Sequence, residues 1–449
     1  MAEASVLLGL FFPGVAAADG HTLNKECLTS FFGNSVVLAV VAAAAAALIV
    51  WVAHRLGPRP PEPRRPELFP DVEVPTWSNR PRPRDFFVSS SRGERIYYEL
   101  HGVAPSSPGC RGLIFVNSGY SAHMMRPTCV PLLQALADAG FAVATHDWSG
   151  HGYSEGLRCA VDPPLMLQDY EQFVDLILGS IGTLQPTPGG IAPRNNQGGK
   201  AATTPTRTTR ARAKQQRGGN LPWYVCGQSM GGGLTCVFAQ RVWAEILGRG
   251  KKAAAGGAGK APPLLQQYGK FGGWVGVASF VEPDSKPPPL VFAVMQAVAR
   301  FFPRHLIPSA IAGVGIPDEF NWPTRELIAW HMTHDLWGVP GGLGWGKGMR
   351  WSSAAAFFQL ADRIRTATDG GSSIAFPLLL CHDPDDRVVS FSGSQLLYDR
   401  AATDPALKVL KRFDGGLHDL IGNKGEAIAR HICEWADAAA TAAAGAARE

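Results

Sequence analysis

The sequence predicts an α/β fold with a mostly parallel central sheet. Short apolar runs, typical of buried strands, end in small or polar loops, and helix-like stretches follow several of them. Because strands that alternate with helices form βαβ units, this order favours a parallel sheet. At 449 residues and 46% hydrophobic content, the chain can form one large domain with insertions. The clearest strand-like runs are residues 112–116, 141–145, 223–226, 376–381 and 407–413.

The most informative motif is Gly-Gln-Ser-Met-Gly at residues 227–231, which lies between a strand-like run and a helix-like run. A sharp strand-to-helix turn of this type exposes the hydroxyl of its central serine above the sheet edge. We therefore predict that Ser229 is a nucleophile held in a strained backbone conformation. Gly227 and Gly231 are expected because a Cβ at either position would crowd the turn. An ordinary glycine-rich turn is the alternative.

A serine nucleophile needs a base and an acid that orients the base. Three carboxylates, Asp383, Asp385 and Asp386, follow one apolar run, and His418 follows the last run. The carboxyl ends of parallel strands meet at one sheet edge, so both loops should lie near Ser229. We predict Asp386 as the acid and His418 as the base. The alternatives are a solvated loop carboxylate and a surface histidine.

The loop after the run 112–116 is the predicted oxyanion loop. It reads Asn-Ser-Gly-Tyr-Ser at residues 117–121. The two expected donors are the backbone N–H groups of Tyr120 and of Met230, the residue after the nucleophile. Two such preorganised donors stabilise a developing oxyanion by a few kcal/mol.

The combined motifs resemble the monoacylglycerol lipase and lysophospholipase branch of the α/β-hydrolases, which shares its profile with the proline-type serine aminopeptidases. The resemblance rests on Gly-Gln-Ser-Met-Gly-Gly, the acid segment around Asp386, Gly-Gly-Leu-His at 415–418, and the motif that starts at Asp147 and includes Gly-His-Gly at 150–152. It extends from about residue 86 to about residue 435. It implies an α/β-hydrolase fold with a helical cap, a Ser229, Asp386 and His418 triad, and neither a cofactor nor a metal.

One segment departs from the family pattern. The family usually has His-Gly-x-Gly in the oxyanion loop, whereas this chain has Ser-Gly-Tyr-Ser at residues 118–121. Because the donor there is a backbone N–H group, the departure does not remove it. His123 resembles a histidine that the family often carries later in the same loop.

Residues 281–371 interrupt the strand and helix alternation at the position where this family inserts its cap. A helix with apolar residues nearly all round is predicted at 290–302. An apolar cap suits an acyl chain, although each aromatic side chain could equally pack the cap core. The apolar side chains that follow the helix are Trp330, Met332, Trp337, Trp345, Met349, Trp351, Phe357 and Phe358.

The N-terminal part predicts a membrane anchor. Residues 35–53 are apolar and uncharged, and at ~1.5 Å per residue a helix there would span about 28 Å. The preceding segment, residues 1–34, includes a possible signal-like stretch at 5–18, and residues 54–85 form a Pro/Arg-rich linker. Basic residues follow the span, so we expect a single-pass protein with residues 86–440, the hydrolase domain, in the cytoplasm.

Composition limits the partners. The net charge of +5 is modest and favours a membrane surface over nucleic acid. Two insertions, 183–220 and 249–263, are predicted to be disordered because they contain too few apolar residues to form a core. The first is basic and could attract anionic lipids, although a solvated loop explains it equally well.

The sequence therefore predicts a membrane-anchored serine hydrolase that cleaves acyl esters of lipids, as a monoacylglycerol lipase or a lysophospholipase would. Three alternatives remain: a proline-type serine aminopeptidase, an acyltransferase that uses the same triad, and a non-catalytic membrane scaffold. A peptidase should carry acidic groups in its cap for the substrate amine. The cap acids available are Asp284, Asp318, Glu319, Glu326 and Asp335. The presence of all three triad residue types argues against a scaffold.

Overall fold

A computed structural model describes most of the chain beyond residue 84. The described ranges are 85–187, 190–194, 221–254, 270–283, 287–308, 320–336, 342–345, 348–369 and 374–446. None of the helices in these ranges is long and apolar enough to cross a membrane. The predicted span at 35–53, its signal-like stretch and nearly all of the linker lie outside the described residues.

Within the described residues, eight strands form one sheet. The strands are β1 Phe86–Val88, β2 Arg95–Gly102, β3 Gly112–Asn117, β4 Phe141–His146, β5 Trp223–Gln228, β6 Phe271–Val277, β7 Leu378–His382 and β8 Lys408–Arg412. Their order in the sheet is β1-β2-β4-β3-β5-β6-β7-β8. The β1–β2 and β2–β4 pairs are antiparallel, and the other five pairs are parallel. The mostly parallel sheet is thus as predicted.

Helices cover both faces of this sheet. Neighbouring residues of a strand face opposite sides, so Ile114 and Phe115 of β3 belong to two separate apolar clusters. The helices are α1 Val130–Asp138, α2 Pro163–Gly179, α3 Ser229–Ala254, α4 Pro289–Phe301, α5 Arg325–Trp330, α6 Trp351–Asp369, α7 Phe391–Arg400 and α8 Leu420–Ala446. The cluster that contains Phe115 includes residues of α2, α3, α6 and α7, and the cluster that contains Ile114 includes residues of α1 and α8.

A helical insertion lies between β6 and β7, where the sequence predicts the cap. It contains α4, α5 and a π-helical turn, His331–Asp335. Helix α6 differs from the rest of the predicted cap range, because its Leu360 and Ile364 belong to the core beneath the sheet. The residues 281–350 therefore form the inserted part, and α6 returns the chain to the sheet.

The start of the predicted disordered insertion 183–220 is ordered. The Thr187 N–H donates to the Leu100 carbonyl at 2.8 Å, and the Gly102 N–H donates to the Ile191 carbonyl at 2.7 Å. Strand β1 pairs only with residues 95–97 of β2, so these backbone groups of β2 are left for the insertion. Composition could not reveal this free edge. Residues 195–220 lie outside the described residues.

The second predicted insertion, 249–263, also begins within a regular element. Helix α3 continues to Ala254, so residues 249–254 are helical. Lysine and alanine have high helix propensity, and this outweighs the single glycine of these residues, Gly250. Residues 255–263 lie outside the described residues.

Candidate active site

The turn between β5 and α3 has the strained geometry that the sequence predicts. Ser229 adopts a φ of 51°, in the left-handed region that a serine seldom occupies. A Cβ at Gly227 would lie 2.4 Å from the Gly231 carbonyl oxygen, and a Cβ at Gly231 would lie 2.2 Å from the Ser118 carbonyl oxygen. Only glycine fits at either position. The turn therefore forces Ser229 into its conformation and holds it beside the loop after β3.

The structure brings together the three residues predicted as a triad. Ser229 Oγ lies 3.0 Å from His418 Nε2, and His418 Nδ1 lies 2.8 Å from Asp386 Oδ2. Both distances are hydrogen bonds, and all three side chains are buried. In this arrangement the Ser229 hydroxyl donates to the imidazole and the imidazole donates to the carboxylate. Such a chain can move a proton from the hydroxyl to His418.

The loop after β7 separates the three neighbouring carboxylates by their partners. Asp386 contacts His418, Asp383 accepts the backbone N–H groups of Gly416 and Leu417 at 2.6 Å each, and Asp385 is exposed. Burial opposes ionisation of Asp386, but the neighbouring His418 and the hydrogen bonds that Asp386 accepts from His382, His418 and Val389 hold the pKa of Asp386 well below its usual value. Asp386 is therefore an ionised carboxylate at neutral pH.

A second histidine contacts the same carboxylate. His382 Nε2 lies 3.2 Å from Asp386 Oδ2, and His382 Nδ1 lies 2.7 Å from Ser394 Oγ. The Asp386 Oδ1 atom accepts the N–H groups of Val388 and Val389 at 2.8 and 3.0 Å. Both carboxylate oxygens thus have fixed partners, which leaves Asp386 a single orientation toward His418.

The predicted oxyanion loop lies against the nucleophile. A Cβ at Gly119 would be 2.9 Å from Ser229 Cβ, so the loop backbone that leads to the Tyr120 amide passes directly beside Ser229. Met230, which holds the other predicted donor, occupies the first turn of α3, where amide groups and the helix dipole favour an anion. The structure thus places both predicted donor segments next to Ser229.

The unusual sequence of this loop is supported by contacts outside it. The Trp148 indole N–H donates to the Ser118 carbonyl at 2.9 Å. The cap residue Trp345 exchanges hydrogen bonds with Ser121, whose hydroxyl donates to the Trp345 carbonyl and whose carbonyl accepts the Trp345 N–H at 3.2 Å. Ser121 itself has a φ of 64°. These contacts fix the loop without the second glycine of the usual motif.

Aromatic side chains form a wall beside the nucleophile. Phe357 contacts Tyr120 and Phe280 with ring centroids 5.3 and 5.0 Å apart. The Phe280 N–H donates to the Ser229 carbonyl at 2.9 Å, which fixes this wall relative to the elbow. Of the cap aromatics named from the sequence, Trp330, Trp351 and Phe357 are buried, and Trp337 lies outside the described residues.

His123, which the sequence resemblance singled out, pairs with the cap. Its Nε2 lies 2.8 Å from Asp335 Oδ1, and both side chains are fully buried. Burial opposes ionisation of Asp335, but His123 and His331 hold its pKa well below the usual value. Sequence reasoning did not identify Asp335 as a partner of this histidine, nor did it identify Arg126, Trp322, His382 or Asp419 as site residues.

In the part of the chain that the structure describes, no group of His, Cys, Asp and Glu side chains is arranged to hold a metal ion.

Comparison with known families identifies this arrangement. The family model described as "Serine aminopeptidase, S33" matches residues 108–185 and 253–425, more than half of the chain. The chain belongs to this family of α/β-hydrolases. The second matched segment contains Asp386 and His418. Ser229 lies in residues 186–252, which separate the two matched segments and are not matched themselves. The geometry of the serine turn is thus an observation independent of the family match. A sequence search of curated proteins gives no significant match.

Solved structures share the fold. A soluble variant of monoglyceride lipase from Saccharomyces cerevisiae has a TM-score of 0.53 and 16% identity, over 82% of this chain and 99% of that one. A monoacylglycerol lipase from Paleococcus ferrophilus has a TM-score of 0.50 and 18% identity, over 77% and 99%. A carboxyl esterase from Bacillus coagulans has a TM-score of 0.51 and 14% identity, over 79% and 97%. At these identities the likeness establishes the α/β-hydrolase fold alone.

Proposed function

We propose that this protein is a serine hydrolase that cleaves acyl esters of lipids, with monoacylglycerols or lysophospholipids as substrates. The observation that carries the proposal is the hydrogen-bonded chain Ser229, His418 and Asp386 on a strained turn. Strained, buried chains of this kind are characteristic of nucleophilic catalysis. The lipase and esterase activities named for several structural neighbours agree with this proposal.

The geometry supports a two-step reaction. Ser229 Oγ attacks the ester carbonyl carbon, while its proton passes to His418 Nε2, and the backbone N–H groups of Tyr120 and Met230 stabilise the resulting oxyanion. His418 then protonates the leaving alcohol oxygen and an acyl-enzyme remains. Water, deprotonated by His418, then attacks the acyl carbon, and His418 returns the proton to Ser229 Oγ as the bond from Oγ to the acyl carbon breaks, which releases the fatty acid and free Ser229. Asp386 keeps the imidazole oriented in both steps.

The surroundings of Ser229 favour an acyl chain over a peptide amine. Phe357, Tyr120 and Phe280 form an apolar wall beside the nucleophile. A peptidase that selects a free amino terminus needs an available carboxylate in the cap. Of the cap acids considered, Asp335 is fully buried against His123 and Glu326 is exposed. Asp284, Asp318 and Glu319 lie outside the described residues.

The surface of the cap supports a lipid-bound substrate. Helix α4 exposes Leu290, Val291 and Phe301, with 71%, 45% and 67% of their surface accessible. The basic residues Arg300 and Arg304, at the C-terminal end of the helix, are exposed as well. An apolar face beside basic side chains is typical of helices that lie at a membrane surface. With the predicted anchor at residues 35–53, it suggests a cytoplasmic enzyme domain that works at a bilayer.

A fluorophosphonate probe, followed by a panel of esters, tests the proposed chemistry. We expect the probe to label Ser229 and to abolish hydrolysis of monoacylglycerols. Absence of labelling in a folded, ester-inactive protein would instead support the non-catalytic scaffold. Transfer of the acyl group to an added alcohol faster than to water would support the acyltransferase. For the anchor, full-length protein should resist carbonate extraction, and its enzyme domain should be protease-accessible only from the cytoplasmic face.

A further inference from the structure

A buried carboxylate lies next to the base. Asp419 follows His418 directly and is 3% exposed. Arg126 donates to both of its oxygens, from Nη1 to Oδ2 at 2.8 Å and from Nη2 to Oδ1 at 3.1 Å. Gln228 Nε2 donates to Oδ1 at 2.9 Å, and Trp322 Nε1 donates to Oδ2 at 2.9 Å. Each oxygen thus accepts two hydrogen bonds, which uses the full acceptor capacity of the carboxylate.

The three donors come from three different parts of the site. Arg126 follows the oxyanion loop by five residues, Gln228 precedes the nucleophile, and Trp322 belongs to the cap. Burial alone would raise the pKa of Asp419, but Arg126 and the hydrogen bonds from Gln228 and Trp322 hold this pKa below its usual value. The carboxylate is therefore charged and joins these segments to the loop that carries His418.

The cap also holds the backbone of that loop. The His418 N–H donates to the Phe320 carbonyl at 3.1 Å, and the Asp419 N–H donates to the Asn321 carbonyl at 3.3 Å. Asn423 Nδ2 donates at 2.7 Å both to the Asn321 carbonyl and to the Gly416 carbonyl. The cap segment 320–322 is therefore bonded to both sides of His418.

These contacts have a consequence for catalysis beyond stability. Replacing a buried ion pair with apolar side chains often leaves stability unchanged, so the pair itself does not explain the convergence. A misplacement of about 1 Å, in contrast, can reduce a catalysed rate about 100-fold. His418 Nε2 lies 3.0 Å from Ser229 Oγ, and the residues adjacent to both partners, Asp419 and Gln228, bond to each other.

We propose that Asp419 and Trp322 are positioning residues through which the seated cap holds His418 in register with Ser229. The inference rests on the proposed serine hydrolase chemistry. The cap then has two roles: it supports the oxyanion loop through Trp345 and Ser121, and it completes the alignment of the base. Displacement of the segment 320–322 would lower the reactivity of Ser229 even where a small substrate does not contact the cap.

Trp322→Phe in the full-length protein tests this proposal, because it removes the indole N–H and keeps an aromatic ring. Trp435→Phe is a matched control. Trp435 is 4% exposed, Trp322 is 6% exposed, and the Trp435 indole donates to the Leu407 carbonyl, a backbone group outside the site. The measurements are kcat and KM for a short water-soluble ester, and the rate and final extent of fluorophosphonate labelling at Ser229.

The final extent of labelling counts the folded sites, and the rate of labelling reports the alignment of Ser229 with His418. Together they distinguish a misplaced His418 from a loss of folded protein. We expect Trp322→Phe to reduce kcat and the labelling rate about 10- to 100-fold, with KM and labelling extent near wild-type values. Trp435→Phe should leave the labelling rate unchanged. Asn423→Ala removes the side-chain bonds of Asn423 to the cap carbonyl of Asn321 and to the Gly416 carbonyl. It should give the same pattern, and it provides the test if Trp322→Phe does not fold.

A Trp322→Phe enzyme with a wild-type labelling rate would overturn this inference and leave the proposed hydrolase chemistry intact. A lower labelling extent at an unchanged rate would also overturn it, because that result indicates a purely structural role. Failure of the wild-type protein to react at Ser229 would overturn the hydrolase chemistry and this inference together.

Discussion

Asp383 accepts a hydrogen bond from the backbone N–H of Leu417, the residue before His418, at 2.6 Å. It also accepts the Gly416 N–H at 2.6 Å. Two sets of contacts thus join the loop after β7, which carries the acid, to the loop after β8, which carries the histidine. One is the side-chain pair Asp386 and His418, and the other is the contact of the Asp383 carboxylate with the backbone. The relationship gives each of the neighbouring carboxylates a distinct expected role.

Substitution of each carboxylate by asparagine should separate these roles. Asp386→Asn should lower kcat about 10⁴-fold, because the imidazole loses its orienting acceptor. Asp383→Asn should have a smaller effect on kcat and should lower the melting temperature, because it weakens charge-assisted hydrogen bonds to the histidine loop. Asp385→Asn, at an exposed position, should change neither quantity. If Asp385→Asn lost most of its kcat while Asp386→Asn stayed active, Asp385 and not Asp386 would be the acid that orients His418.

The strain at Ser229 predicts opposite effects on stability and activity. Ser229→Ala should lower turnover ~10⁴- to 10⁶-fold and leave the fold intact. Ser229→Gly should be equally inactive but more stable than Ser229→Ala by about 1 kcal/mol, because glycine adopts a φ of 51° without steric cost. Ester hydrolysis and urea unfolding of both variants test this pair. Residual activity within tenfold of wild type would exclude Ser229 as the nucleophile.

The exposed face of α4 should matter only when the substrate is in a lipid aggregate. Leu290→Ser and Phe301→Ser should each weaken binding to anionic lipid vesicles about tenfold, because each removes a large apolar side chain from the interface. Hydrolysis of a short soluble ester should be unchanged. Val88→Ser is the control, since Val88 of β1 is 58% exposed but lies outside the cap. An equal effect of all three substitutions on vesicle binding would refute a specific role for α4.

Glu99 should make stability depend on pH. Burial raises the pKa of Glu99 to about 7, and the side chain contacts the Tyr97 hydroxyl and, at 3.3 Å, His101 Nε2. The folded state therefore binds the carboxyl proton of Glu99 more tightly than the unfolded state does. The stabilisation that this proton contributes is complete below the unfolded pKa of 4.5 and is lost as pH rises through about 7. The total loss is about 3 kcal/mol.

Comparison with Glu99→Gln isolates this group, because glutamine stays neutral. Wild type should lose stability relative to Glu99→Gln as pH rises from about 4.5 to about 7. Urea unfolding at several pH values measures this difference. Parallel stability curves for the two proteins would show that Glu99 keeps its usual titration behaviour in the folded state.

The sequence predicted the parts of this site that local patterns encode. The turn around Ser229 and the positions of Asp386 and His418 follow from apolar strands and the short loops after them, and the strand order brings those loops together. The contacts of Asp419 have no such local pattern, because its partners Arg126 and Trp322 are 293 and 97 residues away in the sequence. Convergence of this kind arises only when the cap folds over the sheet.

The same reasoning explains the misplaced disorder boundary. Residues 183–194 are poor in apolar side chains, and composition therefore predicts a solvated insertion. The described residues 183–187 and 190–194 are held instead by backbone groups of Leu100 and Gly102 that β1 leaves unpaired on β2. Whether a strand edge is free depends on the length of its neighbour, β1, and a count of residue types does not contain that information.

Substrate class is the most discriminating property left to measure. The aromatic wall around Phe357 predicts that kcat/KM for glycerol monoesters rises with acyl length, because each buried methylene contributes ~0.8 kcal/mol. Two added carbons should therefore raise kcat/KM about tenfold, until the chain exceeds the apolar site. Prolyl-arylamides should be poor substrates, since the buried cap acid Asp335 is bound to His123 and the side chains beside Ser229 are aromatic. A chain-length series measured beside a prolyl-arylamide decides the matter: a flat series together with fast arylamide cleavage would identify the protein as an aminopeptidase.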